Sequence, residues 1–343
     1  MTATLDTVRA ARSLRHRRRA RGLAVMAGLI LAGFALTLSL GQSLTPPGDV
    51  LRVLMGQDVP GASFTVGQLR LPRAVLSILA GLCFGMGGAA FQVMLRNPLA
   101  SPDIIGITWG ASAAAVLAIV FLGMTGPGVA VLAVAAGLGV ALAIYGLAWR
   151  GGVAGTRLIL IGIGTAAMLQ SVVAYALARA PAWDLQQAMR WLTGSVNGAQ
   201  LSQAAPLALT LALAGGMLLA RARDLETLRM GDDTAAALGV RVGATRVAVT
   251  LAAVGLIAVA TAFTGPIAFV AFLSGPIAAR VMGGTGSILL PAGLVGALLV
   301  LAGDYCGQFL MPGRYPVGVV TGALGAPYLI YLIIRVNRSG GSL

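Results

Sequence analysis

Lysine does not occur in this chain. All 24 basic residues are arginine, set against 10 acids, for a net charge of +14. A GxxxxGK[ST] phosphate loop needs a lysine to reach the β- and γ-phosphates, so no P-loop ATPase of that type can reside on this chain. Charge of either sign is scarce, at 10% of residues, whereas 58% are hydrophobic. That balance excludes a soluble globular domain of ordinary composition. Histidine occurs once, as His16 among arginines, and the two cysteines, Cys83 and Cys306, lie far apart in apolar segments. Such cysteines behave as small hydrophobes, and these residues offer neither a metal-ligand cluster nor a disulfide framework.

Long apolar runs are what the chain does contain. Each is long enough to cross a bilayer core, and together they predict an all-α membrane protein, a polytopic bundle of about ten transmembrane helices. Residues 1–21 form a basic tail carrying Arg9, Arg12, Arg15, Arg17, Arg18, Arg19 and Arg21. Such a tail favours an anionic cytoplasmic leaflet, and the apolar span that follows at once argues against a nucleic-acid arm. Residues 22–336 read as a single transmembrane domain. Within it, 221–246 is the most polar internal stretch and belongs in the cytoplasm.

The chain is organised around Leu69–Gly106. An uncharged run from Ala74 to Leu95 has Arg70 and Arg73 before it and Arg96 after it. The two arginine groups therefore belong on opposite sides of the membrane. Gly81, Gly85 and Ala89 recur every fourth residue, which puts small residues on one helix face and lets a neighbouring helix approach closely. Tracing the spans leaves Arg52, Arg70, Arg73, Arg179, Arg190 and Arg314 outside and all other arginines inside. This asymmetry, with an even number of crossings, places both termini in the cytoplasm of a multi-pass membrane protein. The triplet Ser274-Gly275-Pro276 is expected to interrupt the eighth apolar segment, and Arg150-Gly151-Gly152 to end the fourth.

Ionisable groups within the spans are nearly absent. Proton- or sodium-driven transporters usually carry acids or polar breaks at mid-membrane. Here Asp304 is the one carboxylate in a span, near its outer end, where local pairing is expected. No charged ring or filter motif suggests a channel, and no nucleophile with base and orienter suggests an enzyme. If the bundle moves a solute, the energy must enter from a partner, and 221–246 is the largest inner surface for docking one.

An ordered set of motifs carries a specific resemblance. Arg70-Leu71-Pro72-Arg73 is followed by the glycine-rich helix, Gln92, then Arg96-Asn97-Pro98-Leu99-Ala100-Ser101-Pro102 and Ile105-Gly106. Trp191 with Gly194-Ser195 comes next, then Gly231-Asp232 with Ala235 and Leu238-Gly239. Gly265-Pro266-Ile267-Ala268-Phe269-Val270 and Pro316-Val317-Gly318, with Gly325-Ala326-Pro327, complete the series. In this order, from about residue 65 to the end, the chain resembles the FecCD-type permease family of bacterial ABC importers for iron-siderophore, haem and cobalamin complexes.

The resemblance implies a ten-helix permease subunit that works as one of a pair. Two ATPase subunits would carry ATP and Mg²⁺, leaving no cofactor on this chain, and an extracytoplasmic binding protein would deliver substrate. It implies ATPase coupling through Gly231, Asp232, Ala235, Leu238 and Gly239. Docking of the binding protein would fall to Arg70 and Arg73, with Arg314 a further outer charge. Arg96, Asn97, Pro98, Pro316 and Gly318 match structural motif positions. Gln308 stands where some members carry an arginine and Arg314 where an acid is common, which favours a heterodimer with a related permease over a homodimer. Ile104-Ile105-Gly106-Ile107-Thr108 resembles catechol-siderophore permeases, so a ferric siderophore is the expected substrate ahead of haem or cobalamin.

Overall fold

A computed structural model describes residues 2–101, 106–148, 155–283 and 286–338. Among these, regular structure is helical apart from an isolated antiparallel bridge between Leu40 and Leu44. In chain order the helices are α1 (Thr2–Ser39), α2 (Pro47–Leu54), α3 (Leu71–Met94), α4 (Ile107–Leu122), α5 (Pro127–Ala148) and α6 (Gly155–Arg179). There follow α7 (Ala182–Leu192), α8 (Ala204–Thr210), α9 (Gly216–Ala220), α10 (Ala222–Leu228) and α11 (Asp232–Ala237). Last come α12 (Val242–Thr264), α13 (Val270–Met282), α14 (Leu289–Tyr305) and α15 (Val317–Arg338). Seven helical stretches are long and apolar enough to cross a membrane, and Ile107–Leu122, Val270–Met282 and Val317–Leu332 are shorter apolar helices. The chain is a multi-pass membrane protein.

The helix α1 runs unbroken from the basic segment into its apolar half. A π-helical segment, Ser63–Arg70, leads directly into α3, with Pro72 in its first turn, where a missing N–H costs nothing. Pro102 to Ile105 and the expected break at Arg150-Gly151-Gly152 lie outside the described residues.

At the centre stands α3. In the stretch Ser63–Met94, 78% of the most apolar window is buried, against 22% for Ser13–Ser39 and 17% for Leu201–Ala220, which face outward. Its glycines explain why. A Cβ on Gly81 would lie 2.5 Å from the Ala297 Cα, and one on Gly85 would collide with the Ala292 carbonyl. One on Gly88 would collide with the Ala271 carbonyl of α13. Backbones meet directly at these points, as membrane helices do where small residues face each other. The pairing of Gly81 with Gly296 and of Gly85 with Ala292 makes α14 antiparallel to α3.

Contrary to expectation, Pro276 does not interrupt the eighth apolar segment; α13 is continuous through it. Proline has no N–H to give the carbonyl four residues back, which is that of Phe272. Gln92 Nε2 of α3 donates to that carbonyl instead, at 2.9 Å. Gly275 leaves the room for it, since a Cβ there would strike Gln92 Oε1. The freed backbone group is satisfied by protein, as a membrane interior requires.

Candidate functional site

The two ends of α3 gather most of the residues singled out above. At the first end Arg70 is buried, only 7% exposed. Its Nη1 donates to the carbonyls of Leu38 at 2.8 Å and Ser39 at 3.0 Å, and its Nη2 donates to the Ser43 carbonyl at 2.8 Å. Gly41 leaves space for the guanidinium. Arg70 thus clamps the turn after α1. Arg70, expected from the sequence to face outward for docking, has these donors engaged inside the fold.

Arg73 points elsewhere, towards the end of α14. Its Nε donates to Asp304 Oδ2 at 2.5 Å and its Nη2 to Asp304 Oδ1 at 2.7 Å. The side chains are 16% and 4% exposed, so this is a largely buried, two-pronged ion pair. The matched pair of outward guanidiniums expected from the sequence is therefore not formed. The residues are neighbours on the helix, but one side chain reaches the turn after α1 and the other reaches α14. Arg314, by contrast, is exposed.

Three distant motifs meet beside this end. The N–H of Ser195 donates to the Thr264 carbonyl at 2.6 Å, and the N–H of Gly318 to the Gly194 carbonyl at 3.1 Å. A Cβ on Gly318 would strike the Thr193 carbonyl, and one on Gly265 the Trp191 carbonyl. Gly194 has φ +67°, which ends α7 in a turn that favours glycine. Next to this knot lies a polar cavity of about 830 Å³, whose lining includes Arg190, Trp191, Asn197, Gln308, Arg314 and Pro316. A second cavity, of about 820 Å³, is mostly apolar, with Thr108, Trp109, Gln170, Phe269 and Phe272 on its walls.

At the other end, α3 stops in a turn built around Arg96. The N–H of Asn97 donates to the Gln92 carbonyl at 3.1 Å and that of Arg96 to the Val93 carbonyl at 3.2 Å. This is the six-residue helix stop that normally has glycine in the left-handed position. Here Arg96 occupies it, with φ +53°, a conformation costing a non-glycine residue about 1–2 kcal/mol. Asn97 Oδ1 accepts from the Leu99 N–H at 2.8 Å and shapes the exposed turn at Pro98.

The Arg96 side chain shows what holds that conformation. Its Nε donates to the Leu228 carbonyl at 2.8 Å, and its Nη2 pairs with Asp232. Arg246 Nη2 meets the other oxygen of Asp232 at 2.8 Å. One carboxylate thus joins α3, α11 and α12. Asp232 is the first residue of α11 and bridges two arginines, while Gly231 occupies the cap position with φ +114°. Gly239, with φ +86°, closes the helix: its N–H donates to the Ala236 carbonyl at 2.9 Å and that of Val240 to the Ala235 carbonyl at 3.0 Å. Ala235 is buried, whereas Leu238 and Met230 are 63% and 67% exposed.

Sequence reasoning missed Arg246 as the second partner of Asp232, Arg190 as a cavity wall, and Asp304 as the partner of Arg73. No spacing signal joins these residues, since each pair is made between separate helices.

The FecCD transport family matches residues 29–335. This chain belongs to the FecCD transport family. Among the relatives of this FecCD permease is the ferric enterobactin transport system permease protein FepG of Escherichia coli (strain K12). It is 40% identical over 320 residues, 92% of this chain and 96% of FepG. The achromobactin transport system permease protein CbrC of Dickeya dadantii (strain 3937) is 41% identical over 311 residues, 90% of this chain and 89% of CbrC. A solved structure described as an inward-facing conformation of a metal-chelate type ABC transporter shares the fold. Its TM-score is 0.80 at 24% identity, over 92% of this chain and 99% of that one.

Proposed function

We propose that this FecCD permease is the membrane subunit of an ABC importer that carries a ferric siderophore inward across the bacterial cytoplasmic membrane. The observation that carries the reading is the match, along nearly the whole chain, to permeases named for ferric enterobactin and achromobactin transport. Seven long and three shorter apolar helices supply enough rods for ten crossings. The Arg96 end of α3 lies near the basic half of α1, where Arg19 Nη2 donates to the Ser287 carbonyl at 2.6 Å just before α14. It also carries the arginine-rich segment 221–246. That concentration of arginine supports a cytoplasmic assignment for this end and for both termini.

In this orientation, residues 22–336 form the permease domain and the tail 1–21 lies in the cytoplasm. The permease pair sits on two ATPase subunits, which hold ATP and Mg²⁺, and this chain meets them through α10 and α11, with Leu238 and Met230 as exposed apolar contacts. Asp232, Arg96 and Arg246 transmit the docked position of α11 to α3 and α12. An extracytoplasmic binding protein lands on the opposite face, where Arg314 is open to it. A second, related permease completes the pair.

The reading is tested by reconstituting the chain in vesicles with its permease partner and binding protein. Uptake of a ferric siderophore requires the ATPase and ATP. Uptake driven by a proton or sodium gradient without the ATPase overturns the reading.

A further inference from the structure

The polar cavity beside the Thr264–Ser195 and Gly194–Gly318 junction has a charge pattern unlike the rest of the bundle. Arg190, from the last turn of α7, and Arg314, from the turn before α15, both line it. No acidic side chain is among its lining residues. Among the described residues neither arginine is in an ion pair, whereas Arg73, one helix away, is fully matched by Asp304. Side-chain amides of Gln187, Asn197 and Gln308 add hydrogen-bonding capacity, and Trp191 supplies an aromatic wall. The walls are preformed, because the Ser195 and Gly318 N–H groups tie the segment after α7 to the ends of α12 and α15. The volume, about 830 Å³, falls within the range of about 300–1,000 Å³ typical of sites that enclose a small molecule.

Two unmatched guanidiniums beside a low-dielectric bundle create a field that attracts anions, and arginine's fork of donors fits paired oxygens. An indole wall adds affinity for a flat aromatic group. We infer that this cavity is a reception site for an anionic ferric chelate with aromatic oxygen ligands, held by Arg190 and Arg314 against Trp191. This rests on the permease reading above and deepens it by naming the substrate class at the outer mouth. A neutral chelate of similar size gains nothing from the two arginines.

The test uses the permease pair with its ATPase in lipid nanodiscs and omits the binding protein, so that a docking defect cannot mimic the result. A ferric tricatecholate, which is triply anionic, is titrated against tryptophan fluorescence, and a neutral ferric trihydroxamate is the comparison. The tricatecholate quenches saturably, and Trp191→Phe removes that component. Arg190→Ala with Arg314→Ala weakens the tricatecholate about tenfold or more, whereas Arg190→Lys with Arg314→Lys retains most of the affinity. Tricatecholate affinity unchanged in the double alanine variant, or trihydroxamate binding as tight as tricatecholate binding, overturns the inference. ATP-driven uptake by the parent, with binding protein restored, is measured in parallel. Its absence counts against the permease reading and not against the cavity.

Discussion

Arg73 and Asp304 lie 231 residues apart in the chain and join α3 to α14 through two parallel hydrogen bonds of 2.5 and 2.7 Å. Both charges are largely out of solvent. Removing one partner of a buried pair leaves an uncompensated charge, which typically costs about 3–5 kcal/mol, whereas replacing both with apolar groups is often neutral. Asp304→Ala is therefore expected to lower the melting temperature of the purified protein sharply. Arg73→Met with Asp304→Leu should recover most of the loss. Equal melting curves for the single variant and the parent would show that the pair contributes nothing.

The same logic applies at Pro276 without charge. Gln92→Leu leaves the Phe272 carbonyl unpaired in an apolar setting, an effect of about 1–3 kcal/mol. Pro276→Ala returns an N–H to that carbonyl. The two substitutions should be non-additive, with Gln92→Leu tolerated better in the Pro276→Ala background. A double-variant cycle on heat-resistant folded fraction reads this directly, and strict additivity refutes it.

Backbone contact between α3 and α14 sets a third expectation. Gly85→Ala puts a methyl into the Ala292 carbonyl, where no flexible side chain can yield. Gly139→Ala, in α5, meets nothing within 4 Å and should be neutral or favourable, because alanine is the better helix former. Folded yield after detergent extraction should fall for the first and hold for the second. A normal yield for Gly85→Ala would contradict the close crossing.

Arg96 invites a comparison of two substitutions. Arg96→Gly relieves the left-handed backbone and loses the contacts to Leu228 and Asp232. Arg96→Ala loses the same contacts and keeps the backbone cost. The glycine variant should be the more stable by about 1 kcal/mol. Both should loosen ATPase attachment, as should Asp232→Ala and Gly239→Leu. Co-purification of the ATPase at parental levels with all four variants would remove the proposed coupling role from this cluster.

Protease accessibility separates the roles of the two outer-end arginines. Arg70→Ala should expose the 39–45 turn to cleavage, because Arg70 holds the Ser39 and Ser43 carbonyls within it and the Leu38 carbonyl just before it. Arg314→Ala should leave that turn protected. Equal protection in both variants would refute the clamp.

Composition and periodicity determined the class of this protein on their own. Apolar runs of bilayer length admit only helices, and a chain without lysine cannot carry the P-loop that would energise transport. The stretch 221–246 was legible as lying outside the spans, since its charges are too many for a lipid-facing helix. The glycine face of α3 was legible too, because small residues every fourth position can serve only close packing. The sequence could not say which arginines remain free. Arg70, Arg73, Arg190 and Arg314 look alike as letters, and each guanidinium takes whatever acceptor the fold brings within reach. Tertiary structure spent Arg70 on three carbonyls and Arg73 on Asp304, and left Arg190 and Arg314 around one cavity. Those partners come from helices far apart in the chain, and only the packing of α3 against its neighbours determines which of them arrive.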